Sequence, residues 1–107
     1  MGRPVEREVE WVRPLGEGAR KRHRHATSRG KVVRFTVQLE IWWTGQWLPI
    51  VRYDGAHGVA HRDLYEGPTK KRKAYLALDF NEALTVADRD VDRRWRAYKD
   101  DFVRRNG

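Results

Sequence analysis

The chain has 107 residues, of which 36% are charged, with a formal net charge of +8 and no cysteine. This length accommodates one domain with one hydrophobic core. The lack of cysteine excludes a disulfide scaffold, a thiolate zinc site and a cysteine nucleophile. No apolar run is long enough to span a membrane or to form the core of a signal peptide, so we expect a cytoplasmic protein.

The positive charge indicates a polyanionic partner. A surface this basic attracts nucleic acid and releases counterions when it neutralises phosphates. Two alternatives remain open: the charges form a solvated surface, or they bind an acidic protein partner. We expect RNA to be the partner.

Residues 1–30 are predicted to form a flexible basic arm. Pro4, Pro14, Gly16 and Gly18 interrupt the first part of this segment. Few apolar side chains are available there to bury, so little free energy offsets the entropy cost of ordering the backbone. Trp11 is the main candidate to anchor part of the arm as an edge segment.

Two basic runs are candidates for phosphate contacts. The first, at residues 20–25, repels itself and stays extended until an anion screens it. The second, at residues 70–73, is predicted on a turn and a strand edge, where lysine also discourages edge-to-edge pairing. A solvated loop is the alternative for each run. The candidate RNA-binding residues are Arg20, Lys21, Arg22, Arg24, Lys70, Lys71, Arg72 and Lys73.

Alternating apolar and polar residues predict an antiparallel β-meander of four strands. Residues 31–43 alternate throughout, Gly45 supplies a tight reversal, and residues 47–53 return as the antiparallel partner. Residues 62–66 and 74–80 are predicted as two further strands.

Three tryptophans gather at the end of this first hairpin. The alternation predicts that Trp43 and Trp47 pack in the core. Trp42 falls on the opposite face, where it could pack or stack on an RNA base.

The chain after residue 80 is predicted to be helical, with Asp79 or Asn81 as the N-cap. Apolar side chains recur there at steps of three and four residues and would cover one face of the sheet: Leu84, Ala87, Val91, Trp95, Tyr98 and Phe102. The predicted fold is therefore α+β, a four-stranded antiparallel β-meander covered on one face by a long C-terminal α-helix. Residues 31–107 would form this single domain.

Residues 52–63 concentrate the side chains that can do chemistry. Two histidines, two carboxylates, two arginines and a tyrosine lie between apolar segments, and two glycines let the backbone bend. Such a composition is also typical of an ordinary turn between strands. The candidate catalytic residues are Arg52, Tyr53, Asp54, His57, His61, Arg62 and Asp63.

Metal-independent RNA cleavage fits this set of residues. It needs a base for the 2′-hydroxyl proton, an acid for the leaving oxygen and a cation for the developing phosphate charge. His57 and His61 are candidates for the acid and the base. One of the arginines would hold the phosphate, the tyrosine could donate a hydrogen bond, and a carboxylate could fix a histidine tautomer.

A divalent metal is the competing chemistry. Asp54, His57, His61 and Asp63 could supply a mixed set of nitrogen and oxygen ligands. However, Gly58 argues against the helix on which the two histidines would share a face, and no tightly specified ligand motif is present. We therefore expect neither metal nor cofactor. A purely structural role, in which the histidines satisfy loop backbone groups, is the third alternative.

The segment Arg52-Tyr53-Asp54-Gly55-Ala56-His57-Gly58-Val59-Ala60-His61-Arg62-Asp63 resembles a segment of the TumE-like toxins of bacterial toxin–antitoxin systems. It also resembles a related actinobacterial group without assigned function, as does Asn81-Glu82-Ala83-Leu84 at the helix start. In the TumE-like proteins a further histidine tends to follow the positions of His61 and Arg62, where this chain has Asp63. The resemblance implies a small toxin that acts on RNA or on translation and is paired with an antitoxin protein.

We therefore predict a small basic RNA-acting protein, a toxin-type ribonuclease of a toxin–antitoxin system. The alternatives are a non-catalytic nucleic-acid-binding module and an interaction protein that docks an acidic partner.

Overall fold

A computed structural model describes residues 6–107 as one antiparallel sheet and one long helix. The elements are β1 (Arg7–Gly16), β2 (Ala19–Ser28), β3 (Lys31–Trp43), β4 (Gln46–Asp54), β5 (His61–Tyr65), β6 (Lys71–Tyr75) and α1 (Phe80–Asn106). All six strands pair in the order of the chain, as a continuous meander. The predicted α+β class, antiparallel sheet and C-terminal helix are confirmed. The predicted number of four strands is wrong, because the sheet has six.

The two additional strands come from the segment that was predicted to be a flexible arm. Strand β1 pairs with β2, and β2 pairs with β3 along ten residues. Polar contacts replace the apolar burial that this segment lacks, because Lys21 and His23 are buried and ion-pair with helix carboxylates. The prediction of an arm is therefore wrong for residues 7–28, while residues 1–5 lie outside the described chain.

Two-residue turns connect β2 to β3 and β3 to β4. Arg29 and Gly30 both have positive φ, at 53° and 77°, and Thr44 and Gly45 have φ of 46° and 86°. Positive φ at both central residues is the turn geometry whose twist matches that of paired strands. The reversal predicted at Gly45 is confirmed.

The strands from β3 onward agree with their predicted bounds to different degrees. Strand β3 has its predicted range, and β4 and β5 differ from theirs by one residue at each end. Strand β6 covers residues 71–75, so residues 71–73 of the second basic run lie in the edge strand itself, and the prediction of a strand at 74–80 is wrong. Residues 76–79 instead lead into α1, where the Asp79 side chain accepts a hydrogen bond from the Glu82 amide at 2.8 Å.

Helix α1 covers one face of the sheet with the predicted apolar stripe. Its buried residues are Ala83, Ala87, Val91, Trp95 and Phe102, and Leu84 and Tyr98 pack beside them. They meet the inward side chains of β3, namely Phe35, Val37, Leu39 and Ile41. Within residues 6–107, no helix combines the length and the apolar character needed to cross a membrane.

A bulge in β4 changes the side of the sheet on which Trp47 lies. Leu39 pairs with Val51 but Glu40 pairs with Pro49, so Ile50 is an extra residue. Trp43 packs on Phe102 of the helix, as predicted, with 5.4 Å between ring centroids. Trp47 instead contacts Trp42 at 5.5 Å on the opposite face. The prediction that Trp47 packs in the core is therefore wrong, because an extra residue reverses the alternation.

Candidate functional site

The sheet face opposite α1, which we call the open face, carries a group of charged side chains. Successive side chains of a strand alternate between faces, so the residues that do not contact α1 share the open face. On the inner strands these residues are Arg20, Arg22, Arg24, Gln38, Glu40, Arg52, Asp54, His61 and Asp63, with Lys71 and Lys73 on the edge strand β6.

The first basic run is divided between the two faces. Arg20 and Arg22 lie on the open face and both bind Glu40. Lys21 lies beneath the sheet, only 2% exposed, with its Nζ 2.7 Å from Asp92 Oδ1 and 3.2 Å from Asp88 Oδ1. Lys21 therefore cannot reach a ligand on the surface, which corrects its prediction as an RNA-binding residue.

Glu40 binds Arg20 and Arg22 on the open face. Its carboxylate accepts hydrogen bonds from Arg20 Nε at 2.6 Å, Gln38 Nε2 at 2.6 Å and Arg22 Nε at 3.2 Å. Burial alone would raise the pKa of Glu40, but these three donors hold it below its ordinary value. Arg20 also lies over the Trp47 ring at 4.1 Å. The arginines are thus held in fixed positions with part of their hydrogen-bonding capacity still exposed.

The second basic run follows the edge of the sheet. Lys71 and Lys73 share the open face, and Lys71 Nζ lies 3.6 Å from Asp63 Oδ2. Lys70 and Arg72 pair with Glu66, at 3.8 Å and 2.7 Å. Only alternate residues of this run therefore lie on the same face of the sheet as His61.

Residues 52–63, which contain the candidate catalytic residues, are also divided between the two faces of the sheet. Tyr53 and Arg62 pair across β4 and β5 and point toward the helix, where the Tyr53 hydroxyl donates to Asp90 Oδ2 at 2.7 Å. Burial and the Asp90 carboxylate raise the pKa of Tyr53. The structure therefore separates Tyr53 and Arg62 from Arg52, Asp54, His61 and Asp63, and Arg62 does not lie where it could share a phosphate with Arg52.

Asp54 connects the residues that remain on the open face. Its Oδ1 accepts from the Ala56 amide at 2.9 Å and lies 2.9 Å from His61 Nε2, while its Oδ2 accepts from Arg52 Nε at 2.9 Å. A carboxylate that binds the amide two residues ahead is a common way for Asp to shape a turn. The same side chain therefore bends the chain after β4 and fixes both an arginine and a histidine.

The two predicted catalytic histidines lie in different environments. His57 is exposed in a short 3-10 turn (Ala56–Gly58) and has φ of 62°, followed by Gly58 with φ of 79°. His61 is only 3% exposed, and its Nδ1 lies 3.3 Å from the Val59 carbonyl oxygen. His57 can therefore meet a ligand directly, whereas His61 can act only through the groups that it contacts.

A cleft of about 430 Å³ lies beside this turn, at the end of the sheet. We call it the arginine cleft, because Arg24, Arg34 and Arg52 line it together with His25, Asp54 and His57. Burial and the neighbouring His23 lower the pKa of His25. His61 and Asp63 do not line the cleft but lie next to Asp54.

Two acidic residues, Glu6 and Glu8, form ion pairs with Arg34 and Arg24 in the arginine cleft. Arg34 binds Glu6 with two hydrogen bonds, of 3.1 Å and 2.6 Å. Glu8 lies 3.4 Å from Arg24 and 3.7 Å from Arg34. These ion pairs are exposed, so an anionic ligand could replace the carboxylates at low cost.

Sequence reasoning missed Arg34 and His25 as site residues. Ala26 pairs with Arg34 across β2 and β3, so the register of these strands brings Arg34 beside Arg24. That signal was hidden because β2 was not recognised as a strand.

Three of the four residues that were weighed as alternative metal ligands lie together. Asp54, His61 and Asp63 each offer an atom within 4.8 Å of the others. His57 is not part of this group, so the structure does not bring all four candidate ligands together.

The sequence of residues 6–107 matches a protein family described as a domain of unknown function, DUF7718. The chain belongs to this family. The match begins at residue 6, so the DUF7718 domain includes β1 and β2 as well as the later strands and the helix.

The comparisons with characterised proteins add no further relative. None of the curated proteins and none of the solved structures matches the chain significantly. Since the DUF7718 description names no activity, function must be inferred from the side chains of the open face and the arginine cleft.

Proposed function

We propose that this protein is a small cytoplasmic RNA-acting enzyme, a toxin-type ribonuclease that cleaves RNA in the arginine cleft. The observation that carries the proposal is the meeting of three arginines, an exposed histidine and a carboxylate around one cleft. The resemblance of residues 52–63 to the TumE-like toxins supports the same function and implies an antitoxin partner.

Phosphate binding follows from the arginine geometry. Guanidinium groups bind phosphate oxygens through two parallel hydrogen bonds. In the cleft, RNA phosphates would replace the Glu6 and Glu8 carboxylates on Arg34 and Arg24. From there the backbone would follow the open face toward Arg22 and Lys73. Trp42 and Tyr75, which are 51% and 70% exposed, offer rings on which bases can stack.

Proton transfer is assigned to His57 and Asp54, because both line the cleft. Asp54 would accept the 2′-hydroxyl proton as the 2′-oxygen attacks phosphorus, and His57 would give a proton to the 5′-oxygen as its bond to phosphorus breaks. Arg52, bound to Asp54, would stabilise the charge that develops on the phosphate. His61 would be a positioning residue, since it is buried and acts on the substrate only through Asp54.

The test is cleavage of end-labelled RNA by the purified chain and its variants, with binding measured separately. His57→Asn is the informative variant because Asn tolerates the positive φ of this position. We expect cleavage to fall by about 100-fold or more with RNA affinity unchanged. Arg93→Met, on the exposed face of α1 away from the cleft, is the control substitution and should change neither. Unchanged cleavage in His57→Asn and Asp54→Asn would overturn the assignment.

A non-catalytic RNA-binding module is the second candidate. The observation that favours it is the burial of His61. Of the two predicted catalytic histidines, only His57 is then able to contact a ligand. Such a module would bind RNA with a steep dependence on salt and would leave labelled RNA intact. If the protein neither cleaves nor binds RNA at moderate salt but captures an acidic protein, the open face is a docking surface for that partner.

A further inference from the structure

We infer that Asp54, His61 and Asp63 form a binding site for one divalent transition-metal ion, with Mn²⁺ or Zn²⁺ as its chemical class. The site would lie behind the wall of the arginine cleft, where Asp54 belongs to both. The inference concerns the ligands themselves and does not require that the protein cleaves RNA.

The distances between the three side chains suit a shared ion. His61 Nε2 lies 2.9 Å from Asp54 Oδ1 and 3.9 Å from Asp63 Oδ2. A metal bound at about 2.0–2.2 Å to nitrogen and oxygen holds neighbouring ligand atoms about 3 Å apart and opposite ones about 4 Å apart. The three groups therefore need only small rotations to converge on one ion.

An unpartnered buried oxygen points independently to a cation as the ligand of this group. Asp63 is 3% exposed, and its Oδ1 has no hydrogen-bond partner within residues 6–107. Buried carboxylate oxygens in folded proteins are almost always satisfied. The other oxygen of Asp63 faces His61, so the side chain is directed into the group.

The backbone contact of His61 fits a metal ligand. Its Nδ1 lies 3.3 Å from the Val59 carbonyl oxygen, which can only accept a hydrogen bond. In the neutral ring a hydrogen on Nδ1 leaves the lone pair of Nε2 available to bind an ion placed between it and the two carboxylates. Metal-binding histidines are oriented in this way, with the second ring nitrogen donating to a carbonyl or a carboxylate.

Ligand type and local charge define which ion the site takes. One imidazole and two carboxylates suit Mn²⁺ or Zn²⁺ better than soft ions, which prefer sulfur. Lys71 Nζ, 3.6 Å from Asp63 Oδ2, is the cation nearest to that carboxylate, and the lysine side chain is half exposed. An incoming ion would therefore displace Lys71 into solvent and compete with its charge.

The test is calorimetric titration of metal-free protein with Mn²⁺ and with Zn²⁺, in the absence of RNA. We expect saturable one-to-one binding that weakens at least tenfold in Asp63→Asn. Asp101→Asn, on the helix surface where Asp101 pairs with arginines, is the matched control and should bind normally. Binding that is absent, or equal in both variants, would overturn the inference.

Lys71→Met keeps the test decisive if Asp63→Asn does not fold. Removing the competing charge should tighten metal binding severalfold, whereas unchanged or weaker binding would overturn the inference. RNA cleavage is not a readout in either titration. Metal binding without cleavage would therefore sink only the proposed function, and cleavage without metal binding would sink only this site.

Discussion

Glu40 and Arg20 form a 2.6 Å ion pair across the β2–β3 pairing, and only 7% of the Glu40 side chain is exposed. Gln38 and Arg22 bind the same carboxylate. One buried acid therefore fixes the positions of Arg20 and Arg22 on the open face. The stability of the open face therefore depends on the negative charge of Glu40.

The lowered pKa of Glu40 makes this stabilisation depend on pH. The contribution is fully present above the ordinary value of 4.5 and is lost as the pH falls through the lower folded-state pKa. Glu40→Gln should therefore cost about 1–3 kcal/mol of unfolding free energy at pH 7 and much less well below pH 4.5. Urea unfolding at the two pH values measures this difference. Glu17→Gln, an exposed change, should cost little at either pH, and an equal loss at both pH values in Glu40→Gln would contradict the interpretation.

Neighbouring residues of the first basic run should respond differently in RNA binding. Arg22→Met should reduce the slope of log affinity against log salt by about 1, because Arg22 lies on the open face. Lys21→Met should leave that slope unchanged, since Lys21 is buried against α1. Filter-binding titrations at several salt concentrations compare the two variants.

Lys21→Met should instead lower the stability. The loss should be smaller than the roughly 3–5 kcal/mol of a fully buried charge left unpaired, because Asp88 and Asp92 are 30% and 41% exposed. A salt slope that falls equally in both variants would show that the basic run binds RNA by both of its faces.

Glu8 should weaken RNA binding, since it lies 3.4 Å from Arg24 and 3.7 Å from Arg34 in the arginine cleft. Glu8→Gln frees these arginines, and we expect RNA affinity to rise severalfold at low salt. Fluorescence anisotropy with a labelled RNA provides the measurement. Glu17→Gln removes the same charge at the opposite end of β1 and should produce a smaller increase. If the two variants behave alike, the gain reflects net charge and not the cleft.

Gly55 keeps the turn of the site in contact with the start of α1. A Cβ at this position would lie 2.5 Å from Phe80 Cζ, although the Gly55 φ of −115° suits any residue. Gly55→Ala should therefore destabilise the fold by about 1–3 kcal/mol through overpacking alone. Thermal unfolding of Gly55→Ala in the wild-type and Phe80→Leu backgrounds tests this. The penalty should shrink when Phe80 is shortened, and an equal penalty in both backgrounds would point to another cause.

The sequence predicts β3, the turn at Gly45 and α1 well because their signals are local. The alternation of β3, the turn at Gly45 and the apolar stripe of α1 each depend on near neighbours in the chain. The first two strands could not be recognised this way, because the burial of Lys21 depends on Asp92, 71 positions later. Ion pairs between distant segments leave no periodic apolar pattern to read.

The sequence singles out residues 52–63 as a candidate site but does not give the directions of their side chains. Asp54 and His61 do meet, because the turn brings their strands into register. Tyr53 and Arg62, their immediate neighbours, point to the other side because side chains alternate along a strand. Recognition of both β4 and β5 as strands already implies this division. Arg34 was missed because its neighbour β2 had been interpreted as part of an arm.

The uninterrupted meander has a consequence for how the protein is made. Each strand pairs only with those adjacent in the chain, so successive hairpins can form while the ribosome is still synthesising the chain, since loop closure between neighbours is inexpensive. The helix that covers Val37 and Leu39 is synthesised after all six strands. Until it emerges, a nearly complete sheet presents its apolar surface to water, and at that stage the nascent chain is most in need of a chaperone.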